Sequence, residues 1–392
     1  MKQRRHRQIS DKQYKKDVRK YEFLRFLVGG ILTKFFHYKY KFNKLDENGP
    51  YLIMANHAVE LDPVLLGIAF PHMYFVASEH IFSWGFWSKL IVNILHPIAR
   101  KKGSVDALTV LEIRRRLALG ANVGIFPEGN RTMSGETERI HPTTVKLIRS
   151  CKCGLVTFKI KGGFMFNPRF SRKFRKGPIT GETVNMYSKE DIEAMTDEEL
   201  YERLCEDLYE NAFDTQRERN YRYISKAPAR GLEAGLYWCP VCNSFGTLHS
   251  TDTEIVCTCG MRASYDEYGR LGGVDIPSYD KWYHAQRRAL AALPDKALED
   301  REGVRAYIGT DDHKRVALDV NGFGMDGKRL YLTKDGVTVR ESPLSEIPSV
   351  TYFGVNNLVF YIGRDYHIVT GDLYFNARKY IDKFEFVKEN EE

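Results

Sequence analysis

The sequence lacks a convincing membrane-spanning segment. The stretch that comes nearest, residues 23–36, is apolar and aromatic but short, and Arg25 and Lys34 interrupt it. No small-residue cleavage site follows it, which argues against a secretory signal peptide. The cysteine count is seven, an odd number. This count and the missing signal argue against a disulfide framework and indicate a reducing compartment.

The chain carries an excess of positive charge, with 59 Lys and Arg against 51 Asp and Glu. The excess is concentrated in residues 1–21, where nine residues are Lys or Arg and two are Asp. A basic arm that leads into an aromatic segment is typical of proteins that bind an anionic membrane surface. We therefore predict that residues 1–43 associate with a membrane. A solvated tail followed by a core helix is the alternative.

We do not expect nucleic acid as the partner, because no recognisable reader motif lies beside the basic arm. The charge and the cysteine usage together predict a cytoplasmic protein. We expect it to associate peripherally with the inner face of the cell membrane.

Strand-like and helix-like segments alternate between Tyr51 and about Ser225. This alternation predicts an α/β layer architecture, with a mainly parallel sheet and functional loops at the carboxyl ends of its strands. We assign this domain to residues 44–225. The predicted strands are residues 51–55, 73–77, 123–126, 155–160 and 179–184. The predicted helices include residues 104–119, 142–150 and 196–219.

The composition turns to Pro, Gly and Ala over residues 226–236, which is typical of a linker. A compact cysteine module occupies residues 226–272, and residues 273–302 are predicted to be a helical connector. Residues 303–392 form a β-rich module of short strands separated by Gly, Asp or Asn, with a closing helix. In architecture this module resembles a pleckstrin-homology (PH)-like or GRAM-like domain.

Asn56, His57 and Asp62 follow a predicted buried strand and precede a predicted helix. Asp62 stands before Pro63, which is the pattern of an N-cap followed by proline in the first turn. Histidine can take and return a proton near neutral pH, and a nearby carboxylate can fix its tautomer. The stretch therefore predicts a catalytic His57 oriented by Asp62. A surface histidine beside an ordinary N-cap is the alternative.

Residues 126–132, Phe-Pro-Glu-Gly-Asn-Arg-Thr, follow directly after another predicted buried strand. Arginine grips phosphate through paired, charge-assisted hydrogen bonds. We predict that Arg131 binds an anionic group. We also predict that Glu128 either holds this arginine or accepts a hydrogen bond from a substrate hydroxyl. A loop with a surface ion pair is the alternative.

Together the two motifs resemble the glycerolipid acyltransferase family, whose best-known members acylate lysophosphatidic acid (1-acylglycerol-3-phosphate). The resemblance covers roughly residues 44–219. A looser intermediate block fits residues 97–103 and is carried by Arg100 and a following glycine. Two departures, Thr157 in place of a proline and Asn130 in place of Thr or Ser, leave the acceptor open more than the reaction. The residues that match the two main family blocks are Asn56, His57, Asp62, Phe126, Pro127, Glu128, Gly129 and Arg131.

The resemblance implies that His57 is a general base on the acceptor hydroxyl, which attacks the thioester carbonyl of an acyl donor. It implies that Asp62 orients His57 and that transfer is direct, with no acyl-enzyme and no catalytic metal. Arg131 and Arg100 would bind the acceptor phosphate, and Glu128 and Gly129 would shape that site. The donor would be acyl-CoA or acyl carrier protein. The acceptor would be a lysophospholipid, foremost 1-acyl-sn-glycerol-3-phosphate, in phospholipid biosynthesis.

Two other functions stay open at this point. The acceptor could be a different lipid, such as a glycolipid or an amino-lipid, or the chain could be a catalytically inactive zinc-ribbon adaptor. A slot for the acyl chain is a further hypothesis for an aromatic, helix-like segment, with plain core packing as the alternative. The residues of this hypothetical slot are Trp84, Phe86, Trp87, Ile91 and Ile94.

Four cysteines form two close pairs, with fourteen residues between Cys242 and Cys257. Four thiolates are the ligand set of a closed tetrahedral zinc site, which has no open position for catalysis. We predict a zinc-ribbon-like module with a structural Zn²⁺, and an iron site is the alternative. Because acidic residues surround it, we favour a protein partner for this module or for the β-rich module, or a hinge role. The predicted ligands are Cys239, Cys242, Cys257 and Cys259, whereas Cys151 and Cys153 are predicted to be buried neutral thiols.

Overall fold

The computed structural model describes residues 9–45, 49–78, 95–100, 107–294, 296–309, 315–363 and 365–389. The chain folds into two compact units. The first holds residues 2–169 and 175–223, and the second holds residues 170–174 and 224–392. The hypothetical acyl slot at residues 84–94 and the predicted helix start at Ser104 lie outside the described residues, as do the first eight residues of the basic arm.

One seven-stranded sheet forms the centre of the first unit. Its strands are β1 (Tyr38–Tyr40), β2 (Tyr51–Ala55), β3 (Met73–Ser78), β4 (Ile98–Arg100), β5 (Asn122–Ile125), β6 (Gly154–Lys161) and β7 (Ile179–Tyr187). Their order across the sheet is β1-β7-β6-β2-β5-β3-β4. Each neighbouring pair is parallel except β6 with β7. The predicted α/β fold with a mainly parallel sheet is therefore confirmed.

Eight described helices accompany this sheet. They are α1 (Asp11–Phe35), α2 (Asp62–Ala69), α3 (Ala107–Ala118), α4 (Thr143–Cys151), α5 (Gly163–Phe166), α6 (Lys189–Ala194), α7 (Asp197–Leu208) and α8 (Ala212–Arg219). Buried apolar side chains of β2, β5 and β6 form one core with residues of α3, α4 and α7, among them Leu52, Val123, Leu155, Ile113, Ile148 and Leu204. This core holds the strand ends, and hence the loops that follow them, in fixed positions.

Asp62 does not cap the helix that it begins, so the predicted N-cap is wrong. Leu61 is the N-cap of α2, and Asp62 is its first residue. The Asp62 carboxylate instead accepts hydrogen bonds from the backbone N–H groups of Ala58 at 2.6 Å and Val59 at 2.8 Å. These bonds shape the turn between β2 and α2, which is the turn that carries His57.

The long helix predicted for residues 196–219 is also wrong, because the chain leaves the helix between α7 and α8. Asn211 is the N-cap of α8, and its side chain accepts hydrogen bonds from the backbone N–H groups of Phe213 and Asp214 at 2.9 and 3.3 Å. Residues 209–211 therefore form a short non-helical connection. The Thr137 N–H donates to the carbonyl oxygen of Glu210 at 2.9 Å, so this connection is fastened to the loop that follows β5.

Helix α1 has one anchored face and one open face. Tyr21 and Asp17 lie on the anchored face, where the Tyr21 hydroxyl donates to the Gly67 carbonyl at 2.7 Å and Asp17 accepts from the Tyr74 hydroxyl at 3.0 Å. The open face exposes large apolar side chains, namely Phe23, Phe26, Leu27, Ile31 and Phe35. None of the described helices is both long and apolar enough to cross a bilayer.

The described part of the second unit is built from antiparallel sheets. The first sheet contains β8 (Leu248–Ser250), β9 (Glu254–Cys257), β10 (Arg262–Tyr265) and β11 (Leu271–Gly272). The second contains β12 (Leu298–Asp300), β15 (Gly322–Met325), β16 (Arg329–Lys334) and β17 (Val337–Pro343). The third contains β13 (Val304–Gly309), β14 (Arg315–Ala317), β18 (Val350–Phe353), β19 (Asn357–Ile362) and β20 (Asp365–Gly371). The helices are α9 (Tyr279–Ala291) and α10 (Ala377–Glu389).

The cysteine-bearing segment is bonded to both helices of the second unit. The Tyr237 hydroxyl donates to the buried carboxylate of Asp382 on α10 at 2.8 Å. On α9, the Trp282 indole N–H donates to the Trp238 carbonyl at 2.8 Å. The segments predicted as a cysteine module, a connector and a β-rich module are thus in direct contact, and their division at residues 272 and 302 stays a prediction.

Candidate active site

The carboxyl ends of β2, β5 and β4 lie at one edge of the sheet, because parallel strands link them. His57 follows β2, residues 126–131 follow β5, and Arg100 ends β4. The Thr132 N–H donates to the His57 carbonyl at 2.9 Å, which joins the first two loops. The structure therefore brings together the three segments that the sequence motifs single out.

His57 and Asp62 form a hydrogen-bonded pair. Nδ1 of His57 lies 2.8 Å from Oδ2 of Asp62, and the Asp62 side chain is fully buried while that of His57 is 20% exposed. The His57 ring stacks on Phe126 with a centroid separation of 4.5 Å. With Nδ1 held by Asp62, Nε2 is the ring nitrogen that is left to exchange a proton with a ligand. This is the geometry of an oriented base, and the catalytic role stays a prediction.

Glu128 acts on the backbone of the site. Its carboxylate accepts hydrogen bonds from the N–H of His57 at 2.5 Å and from the N–H of Glu138 at 2.7 Å. The prediction that Glu128 holds Arg131 is wrong, because Arg131 pairs with Glu60 and the Glu128 oxygens accept backbone N–H groups. Desolvation raises the pKa of Glu128 well above its ordinary value, and the two backbone donors oppose that shift. Glu128 thus fixes the position of the turn that carries His57.

Arg131 pairs with Glu60 instead, with Nη2 lying 3.0 Å from Oε1. Desolvation lowers the pKa of Arg131, while the negative charges of Glu60 and Asp62 raise it. Glu60 is mostly exposed, so an anionic ligand can displace it at low cost. Arg169 donates from Nη1 to the Arg131 carbonyl at 2.6 Å. No sequence motif singled out Glu60 or Arg169, because each reaches Arg131 only through the tertiary fold.

Arg100 lies against the turn at Gly129. Gly129 has a φ of +73°, in the left-handed region that favours glycine. A Cβ atom added to Gly129 would lie 3.6 Å from Nη1 of Arg100. Desolvation lowers the pKa of Arg100, and no carboxylate within the described part of the chain pairs with it. The structure therefore places Arg100 and Gly129 together, at the edge of the sheet that carries His57.

A pocket lies beside His57, and part of its wall was not predicted. Asn56 fixes one side of it, because its amide donates to the Ile160 carbonyl at 2.9 Å and accepts from the Ile160 N–H at 2.7 Å. Glu210 forms another side, although the sequence reasoning had placed it in the middle of a helix. The lining also includes Glu128, Thr132 and Phe164.

Thr157, which departs from the family pattern, has a structural explanation. It is fully buried, and its hydroxyl donates to Asp207 at 2.8 Å and accepts from the Asn185 N–H at 3.1 Å. The pairing of β6 with β7 shifts register between Thr157 and Phe158. The hydroxyl thus satisfies polar groups at an irregular point of the sheet, so this departure carries no information about the acceptor.

The four predicted metal ligands also come together, in the second unit. The sulfur atoms of Cys239, Cys242, Cys257 and Cys259 all lie within 4.8 Å of one another. The Cys239–Cys259 and Cys242–Cys257 sulfur separations are 3.9 and 3.7 Å. Zinc–sulfur bonds of about 2.3 Å in a tetrahedron require sulfur separations of about 3.8 Å. The four thiols therefore fit a tetrahedral metal ion.

The sequence of the first unit matches one family profile. This family, described as Acyltransferase, matches residues 37–161, a range that contains both main motifs and Arg100. This range of the chain is similar to the acyltransferase family. The sequence-based resemblance to acyltransferases is thereby confirmed for this range. No curated protein matches the chain.

Solved structures show weaker likenesses. The 1-acyl-sn-glycerophosphate (LPA) acyltransferase PlsC from Thermotoga maritima is 16% identical, with 52% of this chain and 84% of that chain aligned at a TM-score of 0.40. The N-terminal PH domain of human ARAP2 is 11% identical over 24% of this chain and 81% of its own, at a TM-score of 0.20. A chain from a systematic screen for protein–lipid interactions in Saccharomyces cerevisiae is 15% identical. The alignment covers 24% of this chain and 92% of that chain, at a TM-score of 0.17. At these scores the likeness decides neither fold nor function.

Proposed function

We propose that the protein transfers a fatty acyl group from a thioester, acyl-CoA or acyl carrier protein, to the hydroxyl of a lysophospholipid. The observation that carries this proposal is the His57–Asp62 pair in a domain similar to the acyltransferase family. The pair lies at the carboxyl ends of the parallel strands, with Arg131 and Arg100 nearby. The acceptor that fits the family resemblance best is 1-acyl-sn-glycerol-3-phosphate. Its phosphate would be bound by the two arginines.

The transfer is direct. Nε2 of His57 takes the proton of the acceptor hydroxyl as that oxygen forms its bond to the thioester carbonyl carbon. The carbon–sulfur bond then breaks, and the leaving thiolate receives the proton from His57, which yields the ester and a free thiol. Asp62 holds His57 in the tautomer that leaves Nε2 unprotonated and stabilises the imidazolium. A positioned general base contributes about 10²–10⁴-fold to such a rate.

The reaction is to be measured as thiol release from acyl-CoA and from acyl carrier protein, with a panel of lysophospholipids presented on anionic vesicles. We expect release that depends on the added lysophospholipid. If no lysophospholipid accelerates thiol release from either donor over the rate without acceptor, the proposed function is wrong.

The setting of this reaction would be an anionic membrane surface that α1 binds. Phe26 is 82% exposed and Phe23 is 68% exposed on the open face of that helix. Lys12, Lys15, Lys16, Arg19 and Lys34 are also exposed on α1. Apolar side chains flanked by basic ones suit an interface with acidic lipids. A peripheral position on the inner face of the cell membrane would give the enzyme direct access to its lipid substrates.

The four cysteines would hold one structural Zn²⁺. Four thiolates complete the coordination of a zinc ion, so this metal stabilises the fold and has no open position for chemistry. Two turns place the ligands: Asn243 follows the first pair with a φ of +58°, and Gly260 follows the second with a φ of +94°.

A further inference from the structure

The interruption between α7 and α8 places a carboxyl group in the wall of the His57 pocket. Glu210 is 7% exposed and lines the same pocket as His57. Its backbone is fixed on both sides, because its carbonyl accepts from the Thr137 N–H and its N–H donates to the Thr137 hydroxyl, both at 2.9 Å. An uninterrupted helix from residue 196 to residue 219 would not make this connection. The position of Glu210 is therefore built into the fold.

Among the described residues, one oxygen of this carboxyl group has a hydrogen-bond donor. The Thr215 hydroxyl donates to Oε1 at 2.7 Å. Oε2 makes no hydrogen bond to any residue that the structure describes, so it is left to a ligand in the pocket. A donor group of a ligand can therefore bond to this oxygen without displacing a described protein partner.

The charge around Glu210 indicates the class of ligand. Burial raises the pKa of Glu210 to about 7, while Lys161, Lys159 and Arg219 oppose that shift. Above this pH the group is an ionised carboxylate, which only accepts hydrogen bonds, so it bonds to a hydroxyl or an amine and repels a phosphate. The acceptor phosphate therefore belongs at Arg131 and Arg100, and Glu210 bonds to a hydroxyl or an amine of the molecule.

We propose that Glu210 is a specificity-determining residue that accepts a hydrogen bond from a second hydroxyl, or from an amine, of the acyl acceptor. The inference rests on the proposed acyl transfer, and it refines the acceptor class. In 1-acyl-sn-glycerol-3-phosphate the reacting hydroxyl is the single hydroxyl group, so it leaves Glu210 without a partner. A lysophospholipid whose headgroup carries a hydroxyl or an amine supplies one.

The test uses short-chain forms of three acceptors: 1-acylglycerol-3-phosphate, 1-acylglycerophosphoglycerol and 1-acylglycerophosphoethanolamine. Their dissociation constants are measured by calorimetry, and their KM values by thiol release from acyl-CoA. The proteins are the full chain as wild type, Glu210→Ala, Glu210→Gln and the control Glu218→Gln. Glu218 is exposed on α8. Glu210→Gln keeps a side-chain acceptor for the Thr215 hydroxyl and so reports on the carboxylate itself.

We expect Glu210→Ala to weaken binding and raise KM about tenfold for the two acceptors with donor-bearing headgroups, a size that fits one lost hydrogen bond. We expect no change for 1-acylglycerol-3-phosphate, a smaller effect for Glu210→Gln and none for Glu218→Gln. Equal changes for all three acceptors, or no change for any, would overturn the inference. The dissociation constants decide it even if no acceptor releases thiol, a result that would overturn the proposed function separately.

Discussion

Asp62 Oδ2 lies 2.8 Å from Nδ1 of His57 and also accepts the N–H groups of Ala58 and Val59. One carboxyl oxygen thus fixes both the ring of the histidine and the turn that carries it. The arrangement ties catalytic geometry to local stability, because losing the carboxylate would leave buried backbone donors without their acceptor.

The first prediction concerns Asp62→Asn. The amide oxygen can take the place of Oδ2 and keep its bonds to His57 and to the two backbone N–H groups, but the negative charge that stabilises the imidazolium is lost. We expect kcat for thiol release to fall about 10²-fold or more, since the protonated form of the base is then no longer stabilised. The control is Asp214→Asn, the same change at an exposed site on α8. A kcat within twofold of the wild type in Asp62→Asn would show that the pair is not catalytic.

The second prediction concerns pH and Glu210. Burial raises the pKa of this carboxyl to about 7 from an ordinary 4.5, so ionising it destabilises the folded state. The protonated carboxyl group therefore contributes to the free energy of unfolding. This contribution is fully present below pH 4.5 and is lost as the pH rises to about 7. Glu210→Gln cannot ionise. The free energy of unfolding of Glu210→Gln should therefore rise relative to that of wild type between pH 4.5 and 7, by up to about 3 kcal/mol. Above pH 7 the difference between the two proteins should stay constant.

Urea unfolding at pH 5 and pH 8 measures this difference. Glu218→Gln is the matched control, because Glu218 is exposed and the same substitution there should show no pH-dependent difference from wild type. If the gap between Glu210→Gln and wild type is the same at both pH values, the carboxyl does not titrate as described.

The third prediction concerns the four-cysteine site. We expect the purified protein to hold about one zinc per chain by elemental analysis, and Cys242→Ser to hold clearly less and to unfold at a lower temperature. Cys205→Ser is the control, since Cys205 is a half-buried cysteine outside the cluster. The site is not a zinc site if wild type and Cys242→Ser carry the same small amount of metal.

The fourth prediction concerns the open face of α1. Burying a phenylalanine side chain is worth about 1.5–3 kcal/mol, so Phe26→Asp should weaken binding to anionic vesicles about tenfold or more in a sedimentation assay. Val337→Asp is the control, because Val337 is 66% exposed on β17 of the other unit. If both variants bind vesicles as the wild type does, α1 is not the membrane contact.

The sequence predicted the parts of the site whose signals are local. His57 and Asp62 are separated by one short turn, and a buried strand precedes each motif, so their meeting at a common sheet edge followed from parallel pairing. The four cysteines were predictable for the same reason, because two short pairs carry the ligand pattern. The predicted strand at residues 51–55 matches β2, while the three-residue strands β1 and β4 were missed because they carry too little pattern.

The contacts that were missed depend on tertiary structure. Glu128 pairs with the N–H groups of His57 and Glu138, and no spacing in the sequence distinguishes this from a bond to Arg131. Glu60 and Arg169 reach Arg131 only through the fold. Glu210 was hidden by a polar segment with good helical pattern, which the side chain of Asn211 divides by capping a new helix.

The measurement that tests the central claim most directly is acceptor-dependent thiol release from acyl-CoA by wild type and His57→Ala. Both proteins are assayed on the same anionic vesicles with the best lysophospholipid, after far-UV circular dichroism has shown equal folding. We expect the release to fall about 10²-fold or more in His57→Ala, because the general base is gone. An unchanged rate in a folded His57→Ala protein would contradict the assignment of this pocket as the site of acyl transfer.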